Sequence, residues 1–280
     1  MFRLTSSRGG AGASRPGGLR VGSFFVVSLV SSFFIPDSAV LAGAWTLEEG
    51  AGQAIWSFVF SKSPSDLSGG FDSHLDDTTK TELTLLSEYG VTRDLTVIAA
   101  PGFRRATVGA STSSGPGYLD LGARYQVFRK GGAVASVQGI ARIPGASDST
   151  VSANLGYTNA EYDLRGLFGY GFKLGENDAF FDVQAGYRYR TAGPADEMRA
   201  DLTFGCRLRP DFLLLAQSFN TVSVGAAQGV FRRIREHKLQ VSAVYDINER
   251  LSLQAGSFAT VHGENSLRER AIFSAVWVRF

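Results

Sequence analysis

The side chains best suited to chemistry are few. Three histidines, His74, His237 and His262, and one cysteine, Cys206, are the whole stock of soft metal ligands and strong nucleophiles. One cysteine builds neither a disulfide framework nor a cysteine-based zinc site. A serine–histidine hydrolase is the third-ranked function class, and Ser257 with His237 is its nearest pairing. No histidine, however, stands mid-strand beside an outward serine. Gly169-Tyr-Gly171-Phe-Lys-Leu-Gly175 is glycine-rich but lacks the following helix that a phosphate cradle needs. Arg232-Arg233-Ile-Arg235 suits a solvated loop face, or a contact with lipopolysaccharide phosphates. The expectation is a protein that is not an enzyme, with no catalytic residue, cofactor or metal.

The remaining chemistry lies in charges spaced two residues apart. Arg124, Arg142, Arg165, Lys173, Arg188, Arg190, Arg199, Arg207 and Lys238 alternate with apolar neighbours. So do Glu82, Glu88, Asp120, Asp163, Asp182, Glu197 and Asp201, and with them Gln126, Gln138, Gln184, Gln217 and Gln240. A period of two is that of a β-strand, whose successive side chains point to opposite faces. Gathered on one face, bases and acids in near balance can do two things. They can neutralise one another in a filled interior, or line a narrow hydrated path for a polar solute.

Elements of the right kind to position them recur along the chain. Of the 280 residues 44% are hydrophobic, 12% aromatic and 19% charged. That charged share is low against roughly 25% in an ordinary soluble domain. A net charge of +2 gives no basic bias toward nucleic acid. Residues 1–44 read as a secretory signal peptide: Arg3, Arg8, Arg15 and Arg20, an apolar run from Val21 to Ile35, and the small-residue pattern Ala42-x-Ala44. The mature chain, 45–280, is then expected to start at Trp45. It reads as twelve alternating strands: 53–62, 80–89, 95–100, 118–128, 133–143, 161–174, 179–190, 197–209, 212–220, 237–246, 251–261 and 268–280.

A soluble sandwich and a membrane barrel share this alternation, and three features favour the barrel. Short connections (90–94, 130–132, 175–178, 210–211, 247–250) alternate with longer ones (63–79, 101–117, 144–160, 191–196, 221–236, 262–267). Tyr89, Tyr125, Phe172, Tyr245 and Phe280 fall near the short-turn ends on the apolar face, as an interfacial girdle would. The chain closes Ala275-Val-Trp277-Val-Arg-Phe280, with Phe280, Val278, Val276 and Ile272 on one face. Trp277 and Phe280 are the candidate signal for the barrel-assembly machinery, a pattern similar to the C-termini of bacterial outer-membrane barrels. Apolar side chains would meet lipid, and Cys206 would face it too. The expected fold is a transmembrane antiparallel β-barrel of about twelve strands in the bacterial outer membrane, with outer-membrane lipid and lipopolysaccharide as partners.

Several segments together resemble the XagA-type outer-membrane proteins of proteobacteria. They are Ala42-Gly-Ala-Trp45-Thr with Gly52-Gln53, Glu88-Tyr-Gly-Val-Thr92, Leu121-Gly-Ala-Arg-Tyr125, Ala179 to Arg188, Ala216-Gln-Ser-Phe219, His237 to Asp246, and Ala275 to Phe280. The resemblance implies a barrel linked with autoaggregation, biofilm and exopolysaccharide, and no catalytic residue. The expected function is a narrow pore for small polar solutes or saccharides in a cell-surface or biofilm context. The alternative is a non-conducting structural or adhesive barrel acting in autoaggregation through its extracellular loops.

Overall fold

A computed structural model describes residues 43–63, 77–145, 159–229 and 231–280. Residues 1–42 of the expected signal peptide, His74 and most of the connections 63–79 and 144–160 lie outside the described residues. Twelve strands form: β1 Gly52–Ser63, β2 Thr78–Thr92, β3 Leu95–Val108, β4 Ser111–Lys130, β5 Ala133–Ile143 and β6 Glu161–Leu174. They continue as β7 Asn177–Arg190, β8 Asp196–Arg209, β9 Phe212–Val224, β10 Arg235–Asp246, β11 Leu251–Glu264 and β12 Arg270–Arg279. Each pairs antiparallel with its sequence neighbours, and β1 pairs with β12, so the sheet closes into a barrel with no free edge strand.

The last residue adds a further rung to the closing ladder. Phe280 N–H donates to the Gly52 carbonyl at 2.9 Å, and Gly52 N–H donates to the Phe280 carbonyl at 2.7 Å. The Phe280 ring packs over Gly52, where a Cβ would collide with it. Apolar residues cover the outside: Trp56, Phe58, Leu83, Leu164, Leu202, Val241 and Ile272 are all exposed. In water such a continuous apolar surface would drive association; in a bilayer it is the solvated face. Tyr89, Tyr125, Tyr245 and Phe280 are exposed on it near the short-turn end. Cys206 lies on this face by alternation, but its neighbours bury it.

One expected loop is a ladder instead. Residues 101–117 were expected to connect two short strands, yet β3 and β4 continue through them to a turn at 109–110. Gly102, Gly115, Pro116 and Gly117 hide the alternation there, since glycine and proline normally punctuate strands. The proline is tolerated because β4 pairs with β5 only from Leu119 onward, so at Pro116 just one side of β4 carries a ladder. The connections 221–236 and 262–267 are likewise shortened by β9 reaching Val224 and β11 reaching Glu264.

Candidate functional site: the barrel lumen

Alternation turns every second residue inward, and most of the charges named above meet there. Asp120, Arg124, Arg142, Asp163, Arg165, Asp182, Gln184, Arg188, Arg199, Asp201 and Gln240 are buried. Glu82 is partly exposed and pairs with Arg104 at 3.2 Å. Arg207 sits at the short-turn mouth, where it meets Asp246 at 2.7 Å. Lys173 is not interior: it lies at the open turn end against Asp178, 63% exposed, because strand six runs beyond the mouth there.

The largest network follows one wall. Arg142 on β5 reaches Asp120 on β4 and Glu161 on β6, both at 3.0 Å. Arg190 on β7 bridges Glu161 at 3.0 Å and Glu197 on β8 at 2.7 Å. Arg188 binds Asp163 at 3.0 Å. Arg165 joins Asp163 at 2.7 Å, Gln184 at 3.0 Å and Asp201 at 3.3 Å. All these partners come from five successive strands, so the pairs run around the wall. Burying charge is tolerable only with such pairing and hydrogen bonding.

A second cluster centres on Glu269, just before β12. It accepts from Lys80 at 2.7 Å, Lys238 at 2.8 Å and Ser61 Oγ at 2.6 Å. Burial alone would raise the Glu269 pKa, but the two ammonium groups outweigh it and hold the carboxyl below its ordinary range. Gln240 donates to Gln217 at 2.7 Å, and Gln217 to Thr203 at 3.2 Å.

Two features of the interior go beyond the polar lining expected from the alternation. The first is an apolar layer. Ile55, Leu86, Ile98, Ala100, Leu213, Leu215, Val244, Ala275 and Trp277 form one buried cluster, with Phe180 packed against it. These residues come from β1, β2, β3, β7, β9, β10 and β12, so the layer spans the lumen. Trp277, grouped with Phe280 in the sequence as an assembly signal, is wholly buried here, and its indole N–H donates to Gln254 at 3.2 Å. The two aromatic residues therefore do different work, one inside and one in the lipid-facing seam. The sequence carried a trace of this layer: Leu213-Leu-Leu215 and Val97-Ile98 are apolar on both parities, which a strand with a purely polar inner face would not be.

The second is the segment before β1, which turns back into the barrel. Ala44 N–H donates to Asp182 at 2.7 Å, and the Ala44 carbonyl accepts from Ser136 Oγ. Arg124 donates to the Trp45 carbonyl at 3.0 Å, Thr46 Oγ1 to the Arg93 carbonyl at 2.8 Å, and Leu47 N–H to Thr96 at 2.9 Å. The Trp45 ring meets Phe180 edge-on at 5.8 Å. The segment thus touches β3, β4, β5 and β7 without joining any ladder. Below it a vestibule of about 680 Å³ opens between Phe180, Arg207, Leu213, Asp246 and Arg279.

Ser257 lies opposite Val241, away from His237, whose Nδ1 contacts Asn220 at 2.7 Å. Among the described residues no cluster of three or more histidine, cysteine, aspartate or glutamate side chains could hold a metal.

A closed twelve-stranded barrel with an apolar exterior and a charged interior is an outer-membrane β-barrel, and its place is the bacterial outer membrane. Among solved structures, the fold is similar to the COG4313 outer membrane channel from Pseudomonas putida F1, with a TM-score of 0.68 and 20% identity over 85% of this chain and 98% of that one. It is also similar to the KdgM porin in complex with disordered oligogalacturonate, with a TM-score of 0.54 and 6% identity over 81% of this chain and 99% of that one. No family model and no curated protein matches the chain.

Proposed function

We propose that this barrel is a narrow outer-membrane channel for small polar solutes, saccharides among them, in a closed state. The observation that carries the reading is the nature of the stopper. The segment 43–47 is bound by a handful of discrete hydrogen bonds and makes no rung of the barrel, so it can leave without costing the wall any pairing. Its hydrogen-bond partners inside are polar, Thr96, Arg124, Gln126, Ser136 and Asp182, while Ala44 and Trp45 also pack on Val134, Leu167 and Phe180. The wall network supports the same reading, because its charges are satisfied sideways and do not tie opposite strands together. The apolar layer then serves as a dry constriction that restricts passage to small solutes. Fold similarity to outer-membrane channels is consistent with this role. The resemblance to XagA-type proteins supports a cell-surface or biofilm setting, with the short turns and both termini on the periplasmic side.

A second reading, the non-conducting barrel, is favoured by the same apolar layer, which crosses the lumen even with the segment ignored. Planar-bilayer recording separates the two. The channel reading expects sparse openings from the intact protein and larger, frequent ones after deletion of 43–47. A folded deletion variant that carries no current, beside a conducting porin control, overturns it in favour of the non-conducting barrel.

A further inference from the structure

We propose that the leader is cut between Ala42 and Gly43, and that the new α-ammonium of Gly43 is kept inside the lumen as a counter-ion of Asp182. Two frames offer small residues at the cut: Val40-x-Ala42 and Ala42-x-Ala44. Composition alone favours the second, with a start at Trp45. The packing of Ala44 favours the first.

Ala44 is fully buried, and everything it carries is in use. Its N–H donates to Asp182 Oδ2 at 2.7 Å and its carbonyl accepts from Ser136 Oγ. Its methyl group packs with Val134 and Leu167, against the partly buried Trp45. A chain starting at Trp45 would discard all three contacts and leave a void among buried groups. A chain starting at Gly43 keeps them.

Gly43 is also buried, and its backbone lies directly against Asp182: a Cβ there would collide with the carboxylate. Only glycine fits this approach. Asp182 is 1% exposed, with Oδ1 accepting from Gln184 at 2.8 Å. After cleavage the Gly43 nitrogen, one bond from that Cα, is an ammonium within reach of the same carboxylate. A buried cation is tolerated when an anion sits beside it, and Asp182 supplies one.

The step is a plain hydrolysis. Water adds its hydroxyl to the Ala42 carbonyl carbon and its proton to the nitrogen as the C–N bond to Gly43 breaks; the new Ala42 carboxyl then gives up its proton to the amine, leaving a carboxylate and the Gly43 ammonium. Gly43 is buried in the finished barrel, out of reach of a membrane-bound leader peptidase. Cleavage therefore precedes docking of the segment.

The test uses full-length protein matured in cells and purified from the outer membrane. Intact mass and N-terminal sequencing should give Gly43; a start at Trp45, or at any other residue, overturns the proposal. An amine-acylating reagent at neutral pH, read by peptide mapping, should modify the Gly43 amine several-fold more slowly in the folded barrel than in urea. Equal rates would overturn the docking. Asp182→Asn should speed labelling in the folded protein, judged by heat-modifiable migration. Should that variant not fold, Gly43→Ala provides the same readout, because its methyl group displaces the terminus from the carboxylate. Protection unchanged in whichever variant folds would remove Asp182 as the counter-ion.

Discussion

Replacing Trp277 with alanine tests the apolar layer directly. The indole is completely buried and comes from a strand at the closing seam, yet it belongs to a buried cluster that also draws residues from β1, β2, β3, β9 and β10. Truncating a buried aromatic to alanine costs about 3–5 kcal/mol, through lost burial and the cavity left behind. The substitution also strips Gln254 Oε1 of the indole N–H at 3.2 Å, adding about 1–3 kcal/mol if water does not replace it. Water from the vestibule can reach the new opening and replace that hydrogen bond, so we expect the lower part of the truncation range alone, about 3–4 kcal/mol. At about 1.4 kcal/mol per decade, that shifts the folding equilibrium by two to three powers of ten. The assay is reversible urea unfolding into lipid vesicles, followed by tryptophan fluorescence and heat-modifiable migration, with Trp277→Phe as the control. Phenylalanine should recover most of the loss, as it fills the layer without the hydrogen bond. An alanine variant within about 0.5 kcal/mol of the parent, the range of surface substitutions, would refute the assignment of Trp277 to a packed interior.

Deleting Phe280 removes both hydrogen bonds to Gly52 and the ring over it. We expect the truncated chain to accumulate unassembled in the periplasm, measured by membrane fractionation; normal outer-membrane levels would contradict it. Glu161→Gln removes one of the two carboxylates that Arg142 and Arg190 each bind, leaving them Asp120 and Glu197, and should destabilise the barrel by about 1–3 kcal/mol in the same urea titration. A cysteine at Gln228 should react with an impermeant thiol reagent on whole cells, and one at Asn248 should not; the opposite pattern would invert the orientation. Glu269 has a depressed pKa when folded, so its stabilising contribution is present above the ordinary glutamate range and is lost as pH falls through the lower folded value. Acid titration of stability should therefore show a steeper low-pH limb in the parent than in Glu269→Gln.

The strand number and the facing of the charges were readable because a barrel wall divides two unlike media. Where one face meets lipid and the other meets charge, as along Tyr162 to Phe168 on β6, period two is plain. The pattern fades where both faces are apolar, and two such stretches, Leu213 to Leu215 and Val97 to Ile98, contribute to the internal layer. It fades again where glycine and proline occupy a rung, which is why the hairpin through 101–117 was invisible. Pairing was illegible for a different reason. Glu161 serves Arg142 on one side and Arg190 on the other, and only register sets residues so far apart in sequence at hydrogen-bonding distance. The inward turn of residues 43–47 has no periodic signature at all; Trp45 read simply as the first residue of the mature chain.

The seam between β1 and β12 bears on how the molecule is made. Eleven of the twelve strand pairings are hairpin-like and can form as soon as neighbours meet. The twelfth must wait for the whole chain: Ser61 and Glu269, bonded across it, are 208 residues apart. Contacts of such separation are slow, because chain closure must precede any reward. Until then β1 and β12 offer unpaired backbone, the form most prone to wrong partners. The residues just ahead of β1 travel with one of those open edges, so the stopper is carried toward the interior by the strand that completes the ring. Closing speed and correct filling are thus one event, and a mutation that slows the seam should yield misassembled chains before it yields weaker barrels.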